Sequence, residues 1–238
     1  MDRNAIITLA IGHLDFWQKT HPIMQQYADR IGADFVKITA IQQPNNIFEG
    51  HKLAKFQLYD YLSTYRRICF LDGDIVVHPD CPNLFDLVPE DRLGVVYESK
   101  PYFNRDEVFQ WACDFYGAPY PGDANEWFNT GMMVISRQHQ NIFIAPNNVK
   151  NFTARNADGS IAEGFNWLDM PLLNCLSRIQ GIKLQNLGFK FNYLQPLKYF
   201  SNCPFEPEDS FIFHGCGEDK SYIDKIIRHW YGEAPPSM

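Results

Sequence analysis

The feature that most restricts the fold of this chain is the run Ile68-Cys69-Phe70-Leu71-Asp72-Gly73-Asp74-Ile75-Val76-Val77. A continuous apolar segment of this kind reads as one strand buried on both faces, the habit of parallel sheets flanked by helices. It brings two carboxylates, separated by a single glycine, to its carboxyl end, where open α/β sheets bind ligands. Two oxygen donors on a sharp turn suit a hard divalent cation, Mg²⁺ or Mn²⁺, that also holds phosphate oxygens. Gly73 lets backbone approach a ligand closely. A lone Asp-x-Asp also describes an ordinary solvated turn, so the pair is weighed with the rest of the chain.

The flanking segments fit an α/β sheet. Residues 5–11 read as a first strand, 16–31 as an amphipathic helix stopped at Gly32, and 34–39 as a second strand. That β-α-β opening implies parallel pairing. Residues 42–50 are polar and turn-rich. Residues 51–65 read as a helix with Leu53, Phe56 and Leu62 at core spacing and Lys52, Lys55 and Tyr59 on another face. Further strands are expected over 93–98, 128–136, 182–187 and 210–214, with an irregular excursion over 101–125 and a polar loop over 147–164. A helix is expected over 169–179 with Asp169 as its N-cap, Pro171 in its first turn and Gly181 past its end. Residues 222–230 read as a closing helix, and 232–238 as a frayed tail.

The 238 residues favour one domain over the whole chain, and 21 basic against 28 acidic side chains argue against a nucleic-acid surface. No apolar run reaches the roughly 18 residues of a spanning helix. Six scattered cysteines form no Cys-x-x-Cys pair, and the N-terminus lacks the pattern of a signal peptide. Reduced thiols and a cytoplasmic location are the resulting expectation.

Chemistry-bearing residues accumulate in order around the acidic pair. Lys55 precedes it. Phe128-Asn129-Thr130-Gly131 opens a strand, Asp169-Met170-Pro171-Leu172-Leu173-Asn174 starts a helix, and His214-Gly215-Cys216-Gly217-Glu218-Asp219-Lys220 follows a strand. Asp72, Asp74 and His214 make a donor set for a cation with positions left for phosphate. Gly215 and Gly217 would turn backbone N–H groups to those oxygens, and Lys220 would neutralise them. Such a set stabilises a departing nucleoside diphosphate.

These motifs resemble glycosyltransferase family eight, the retaining group of glycogenin and the lipopolysaccharide galactosyltransferases. The family pattern runs Asp-x-Asp, Phe-Asn-(small)-Gly, Asp-Gln-x-x-Leu-Asn, His-x-x-Gly-x-x-Lys-Pro-Trp, and the resemblance covers roughly residues 50 to 222. It implies a GT-A-like nucleotide-diphospho-sugar transferase fold, a mostly parallel central sheet flanked by helices. It also implies transfer of a hexosyl group from a nucleoside-diphosphate sugar, a UDP-sugar first, to the hydroxyl of a carbohydrate or other acceptor. By resemblance, Asp72, Asp74 and His214 would hold Mn²⁺, with Lys220 and Gly217 on the diphosphate and Gly73 close by. Lys55 and Asn129 would contact the donor sugar, and Asp169 would orient it. Leu9, Ala10 and Phe16 would line the base pocket, and Glu126 would reach donor or acceptor hydroxyls.

Two positions depart from the pattern. Met170 replaces the family Gln, and a thioether has none of an amide's donors. Ser221-Tyr222 replaces Pro-Trp, with Tyr222 expected to cover the same ground. Two other readings stand beside the transferase. One is a haloacid-dehalogenase-type phosphatase, whose nucleophile loop Asp72-Gly73-Asp74-Ile75-Val76 resembles superficially. The other is a non-catalytic nucleotide-sugar-binding protein on the same fold.

Overall fold

The computed structural model describes residues 3–41, 51–144, 169–217 and 219–232. The expected turn over 42–50, the loop over 147–164 and the tail after Gly232 lie outside the described residues. The opening is the expected unit: β1 (Asn4–Leu9), α1 (Trp17–Arg30), β2 (Asp34–Ile38). Gly32 stops α1 with φ +68°, a left-handed conformation that costs glycine little. β1 pairs in parallel with β2 and with β3 (Arg67–Leu71). The sheet continues through β6 (Phe128–Ser136), β5 (Arg92–Tyr97) and β7 (Lys183–Asn186), in the order β2-β1-β3-β6-β5-β7. β6 runs antiparallel to both of its neighbours, and the other pairings are parallel.

Strand alternation builds two cores, one on each face of the sheet. Ile6, Cys69, Leu71 and Val134 face α1, while Ile7, Ile68, Phe70 and Met133 face α2 (Leu58–Thr64) and α5 (Asp169–Ile179). Both faces are covered, which is why these strands read as unbroken apolar runs.

The run that opens the sequence analysis is two strands. β3 ends at Leu71, and β4 (Ile75–Val77) belongs to a second sheet with β9 (Ile212–His214) and β8 (Tyr193–Leu194), in the order β4-β9-β8. Asp72-Gly73-Asp74 is the link between the sheets, tightened by the Ile75 N–H donating to Asp72 O at 3.1 Å. Apolar residues on both sides of the link hide the break.

Two further expectations are corrected. The stretch over 101–125 contains α4 (Asp106–Tyr116), which buries Val108, Phe109, Ala112 and Cys113 at helical spacing, and Gly117 at φ +71° ends it. The helix over 51–65 divides into a 3₁₀ segment, His51–Gln57, followed by α2. Between β4 and β5 lies α3 (Leu84–Leu87), capped by Asn83, and α6 (Ser221–Tyr231) closes the chain. Among the described residues no helix is long and apolar enough to cross a membrane.

Candidate active site

A cleft of about 1150 Å³ opens where β1 and β3 end, and eleven of the thirteen residues given a site role by resemblance line it. They are Leu9, Phe16, Lys55, Asp72, Gly73, Asp74, Asn129, Asp169, His214, Gly217 and Lys220. Ala10 and Glu126 do not line it. The Ala10 N–H donates to Ile38 O at 2.8 Å, extending the β1–β2 ladder. Glu126 is exposed and pairs with Arg178 at 3.4 Å on another surface, because the adjoining Trp127 is fully buried in the core around α4.

The link between the sheets positions the acidic pair. Asp72 is tied to the central sheet by its N–H, which donates to Gly131 O at 2.7 Å, while the Gly215 N–H donates to Asp74 O at 3.0 Å. Ile75 lies directly across from His214 in the β4–β9 ladder. One ligand atom from each of Asp72, Asp74 and His214 therefore falls within 4.8 Å of the others. His214 Nε2 stands 3.3 Å from Asp74 Oδ1 and 3.8 Å from Asp72 Oδ2. Two carboxylates and an imidazole nitrogen converging in a partly buried corner form a donor set that fits a hard divalent cation.

Gly73 carries no side chain for a steric reason. A Cβ there would stand 2.5 Å from Trp17 Nε1, so the α1 indole packs directly on the turn. Thr20 Oγ1 on the same helix donates to Gly73 O at 2.7 Å. Gly131 is similarly constrained, since a Cβ would stand 2.8 Å from His214 Nδ1.

Two ammonium groups balance the carboxylates. Lys220 donates to Asp74 Oδ2 and to Gly215 O, each at 2.6 Å. Burial opposes ionisation of Asp74, but His214 and Lys220 outweigh it and hold the carboxyl well below the usual range. Lys55, read on the helix face away from Leu53, Phe56 and Leu62, is 4% exposed. Its Nζ lies 2.7 Å from Asp169 Oδ2 and 3.1 Å from Asp72 Oδ1, and donates to Thr130 O at 3.2 Å. Burial works against the Lys55 charge, yet Asp169 and Asp72 overcome it and raise the pKa above the ordinary lysine value. Asp169 opens α5 from inside its first turn, and its carboxylate turns to Lys55 and to the Thr130 hydroxyl at 2.8 Å. Lys55 and Thr130 prevail over burial and lower its pKa. Asp72 goes the other way: burial outweighs Lys55 and His214, and the neighbouring Asp74 and Asp169 charges add to the rise.

Met170 lines the cleft beside Asp169, and its Sδ accepts the Trp127 Nε1–H at 3.2 Å. Asn174 fixes helix to strand, accepting from Phe128 N and donating to Phe128 O, both at 3.0 Å. Tyr222 packs on Phe213 and takes the Lys198 ammonium over its ring, while Ser221 lines the cleft. Phe16 lines the cleft with Lys220 Nζ over its ring at 5.3 Å. The cleft also contains residues that the sequence reading missed: Trp17, Glu98, Phe103, Arg105 and Thr130. Thr130 sat inside a recognised motif, and Glu98 is a carboxylate just past the end of β5, the same signal that marked Asp72.

Several glycosyltransferase structures share the fold. A glycosyltransferase involved in the glycosylation of the major capsid of PBCV-1 aligns with a TM-score of 0.55 at 15% identity, over 94% of this chain and 97% of that one. Galactosyltransferase LgtC, in complex with donor and acceptor sugar analogues, gives 0.56 at 13%, over 95% and 96%. Glycosyltransferase GlyE of Streptococcus pneumoniae gives 0.53 at 16%, over 93% of this chain and 56% of its own length. No curated protein matches the chain in sequence. The phosphatase reading gains no support from a cleft and a fold of this kind. The glycosyl transferase family 8 profile matches residues 15–220, a span that holds the acidic link, Lys55, Asp169, His214 and Lys220, and so the chain belongs to that family of glycosyltransferases.

Proposed function

We propose that this glycosyltransferase, one domain over residues 1–238, moves a hexosyl group from a UDP-sugar to an acceptor hydroxyl with retention of anomeric configuration. The observation that supports it best is the meeting of Asp72, Asp74 and His214 between the Lys55 and Lys220 ammonium groups in the cleft of a family 8 chain. Asp72, Asp74 and His214 would hold Mn²⁺ or Mg²⁺, which when bound supplies Lewis-acid stabilisation of the diphosphate. Lys220 is the mobile charge of the site: it exchanges Asp74 for diphosphate oxygens, joined there by the Gly217 backbone. Lys55 and Asp169 orient the donor sugar as a pre-formed ion pair, with Asn129 at its side. Leu9 and Phe16 border the base. In the transfer the anomeric C–O bond to phosphate breaks, the acceptor oxygen bonds the same face, and the acceptor proton passes to a donor phosphate oxygen.

The test is thermal unfolding with a panel of nucleoside diphosphates, each with and without Mn²⁺. A ligand at about 100 times its dissociation constant adds about 2.7 kcal/mol. The expected result is a shift with UDP that requires the metal and is lost in Asp74→Ala. No shift with any base, or one indifferent to Asp74→Ala, would overturn the site assignment. Met170, its sulfur already accepting a hydrogen bond, favours one second reading, a donor-binding protein without turnover. Donor binding without transfer or slow donor hydrolysis would support that reading.

A further inference from the structure

His214 faces the carboxylates with Nε2 and is held from behind by Nδ1, which lies 3.2 Å from Asn192 Oδ1. Asn192 is fully buried, immediately before β8, and takes no part in the functional reading above. Its amide belongs to a chain of hydrogen bonds whose direction is set at both ends. At one end, the Gly131 backbone N–H donates to Asn129 Oδ1 at 2.8 Å; a backbone amide can only donate there, so the Asn129 atom it meets is the oxygen. At the other, Asn129 Nδ2 donates to Glu98 Oε2 at 3.1 Å, and the Arg105 guanidinium pairs with Oε1 of the same side chain. The two ends agree on the orientation of Asn129.

The next link follows from that orientation. Asn129 Oδ1 accepts a second bond, from Asn192 Nδ2 at 3.0 Å. With Nδ2 committed, Asn192 can turn only Oδ1 to His214, and an oxygen there requires a proton on Nδ1. The ring cannot evade this by shifting, because it lies against the bare Cα of Gly131. We propose that Asn192 is a positioning residue of the metal site: through this chain it keeps a proton on His214 Nδ1 and directs the Nε2 lone pair at the space between Asp72 and Asp74. The inference rests on the metal-site reading. Outer partners that hold a ligating imidazole by its other nitrogen orient the ring and raise its basicity. The Asn-Thr-Gly portion of the strand motif then serves the metal ligand as well as the donor: Asn129 relays the polarity, and Gly131 supplies both its origin and the space.

The test combines a spectrum with an affinity. Long-range ¹⁵N–¹H correlation on protein in saturating diamagnetic Mg²⁺ reads the tautomer, with His214→Gln assigning the signal. Mn²⁺ titration, followed by the spin resonance of free Mn²⁺, reads the affinity. Wild type is expected to show His214 protonated on Nδ1. Asn192→Leu should mix the tautomers and weaken Mn²⁺ binding about 10- to 100-fold. Asn192→Asp keeps an acceptor for Nδ1–H while losing the donor to Asn129 Oδ1, and should keep the proton on Nδ1. An Nε2–H tautomer in wild type overturns the proposal. So does a folded Asn192→Leu protein with unchanged tautomer and affinity. If that variant does not fold, the wild-type spectrum and Asn192→Asp decide. Wild type that shows Nδ1–H and fails to bind Mn²⁺ would overturn the metal site and with it the positioning role, while Mn²⁺ binding with an Nε2–H tautomer would overturn the positioning role alone.

Discussion

Lys55 has two carboxylates, a carbonyl and a hydroxyl around its ammonium at 4% exposure, so its charge is paired inside the protein. Removing one partner of a buried pair leaves the other uncompensated, which costs about 3–5 kcal/mol. Lys55→Met is therefore expected to lower unfolding stability by about that much in a urea titration, besides abolishing transfer. The contrast is the Lys19–Asp224 pair at the cleft edge, where each side chain is 42% exposed. Exposed pairs contribute about 0–1 kcal/mol, so Asp224→Ala should move the same titration by less than that. Met170→Gln puts an amide beside Asp169 and preserves an acceptor for the Trp127 N–H. It should leave the unfolding midpoint nearly unchanged and raise donor hydrolysis about tenfold, the effect of about 1.4 kcal/mol in the barrier. Unchanged turnover would show that the position takes no part in the chemistry.

At the scale of elements, α1 is the support of the acidic link. Trp17 packs on Gly73, Thr20 bonds its carbonyl, and His21 stacks on Trp17 at 5.5 Å between ring centres. Burial, aided by Lys37, pushes the His21 pKa down to about 4. The unfolded chain takes up this proton near pH 6.5 and the folded chain does not. The stability held by neutral His21 is thus complete above about pH 6.5 and is lost as pH falls toward 4. Unfolding followed over that window should show a slope that His21→Phe flattens. None of this support was legible beforehand, since a histidine on an amphipathic helix carries no sign of what it stacks upon. The β1-α1-β2 opening was legible, because its periodicity switches cleanly between strand and helix. α4 was missed where aromatics, Pro and Gly crowd the flanks of a sound pattern at Val108, Phe109, Ala112 and Cys113.

At the scale of the whole molecule, motif order singles out residues that the fold gathers in one place. Asp72, Asp74, Asp169, His214 and Lys220 come from three separate segments and meet in one cleft. Motif chemistry, though, shows which side chains converge and not which way their neighbours face. Ala10 and Glu126 lie outside the cleft lining because adjacency in sequence says nothing of side-chain direction. Asn192 carried no motif at all, and the division of the apolar run into β3 and β4 is invisible to hydropathy. That division matters beyond topology. Asp72 leaves the six-stranded sheet, whereas Asp74 directly precedes β4 and His214 ends β9 in the small one. A cation held by all three would be a rivet through two plates, and the plates would loosen when it leaves. Chelation should accordingly speed amide hydrogen exchange across β4, β8 and β9 while β1 and β3 stay protected. The smaller sheet would then report, through its own rigidity, whether the enzyme is charged for its donor.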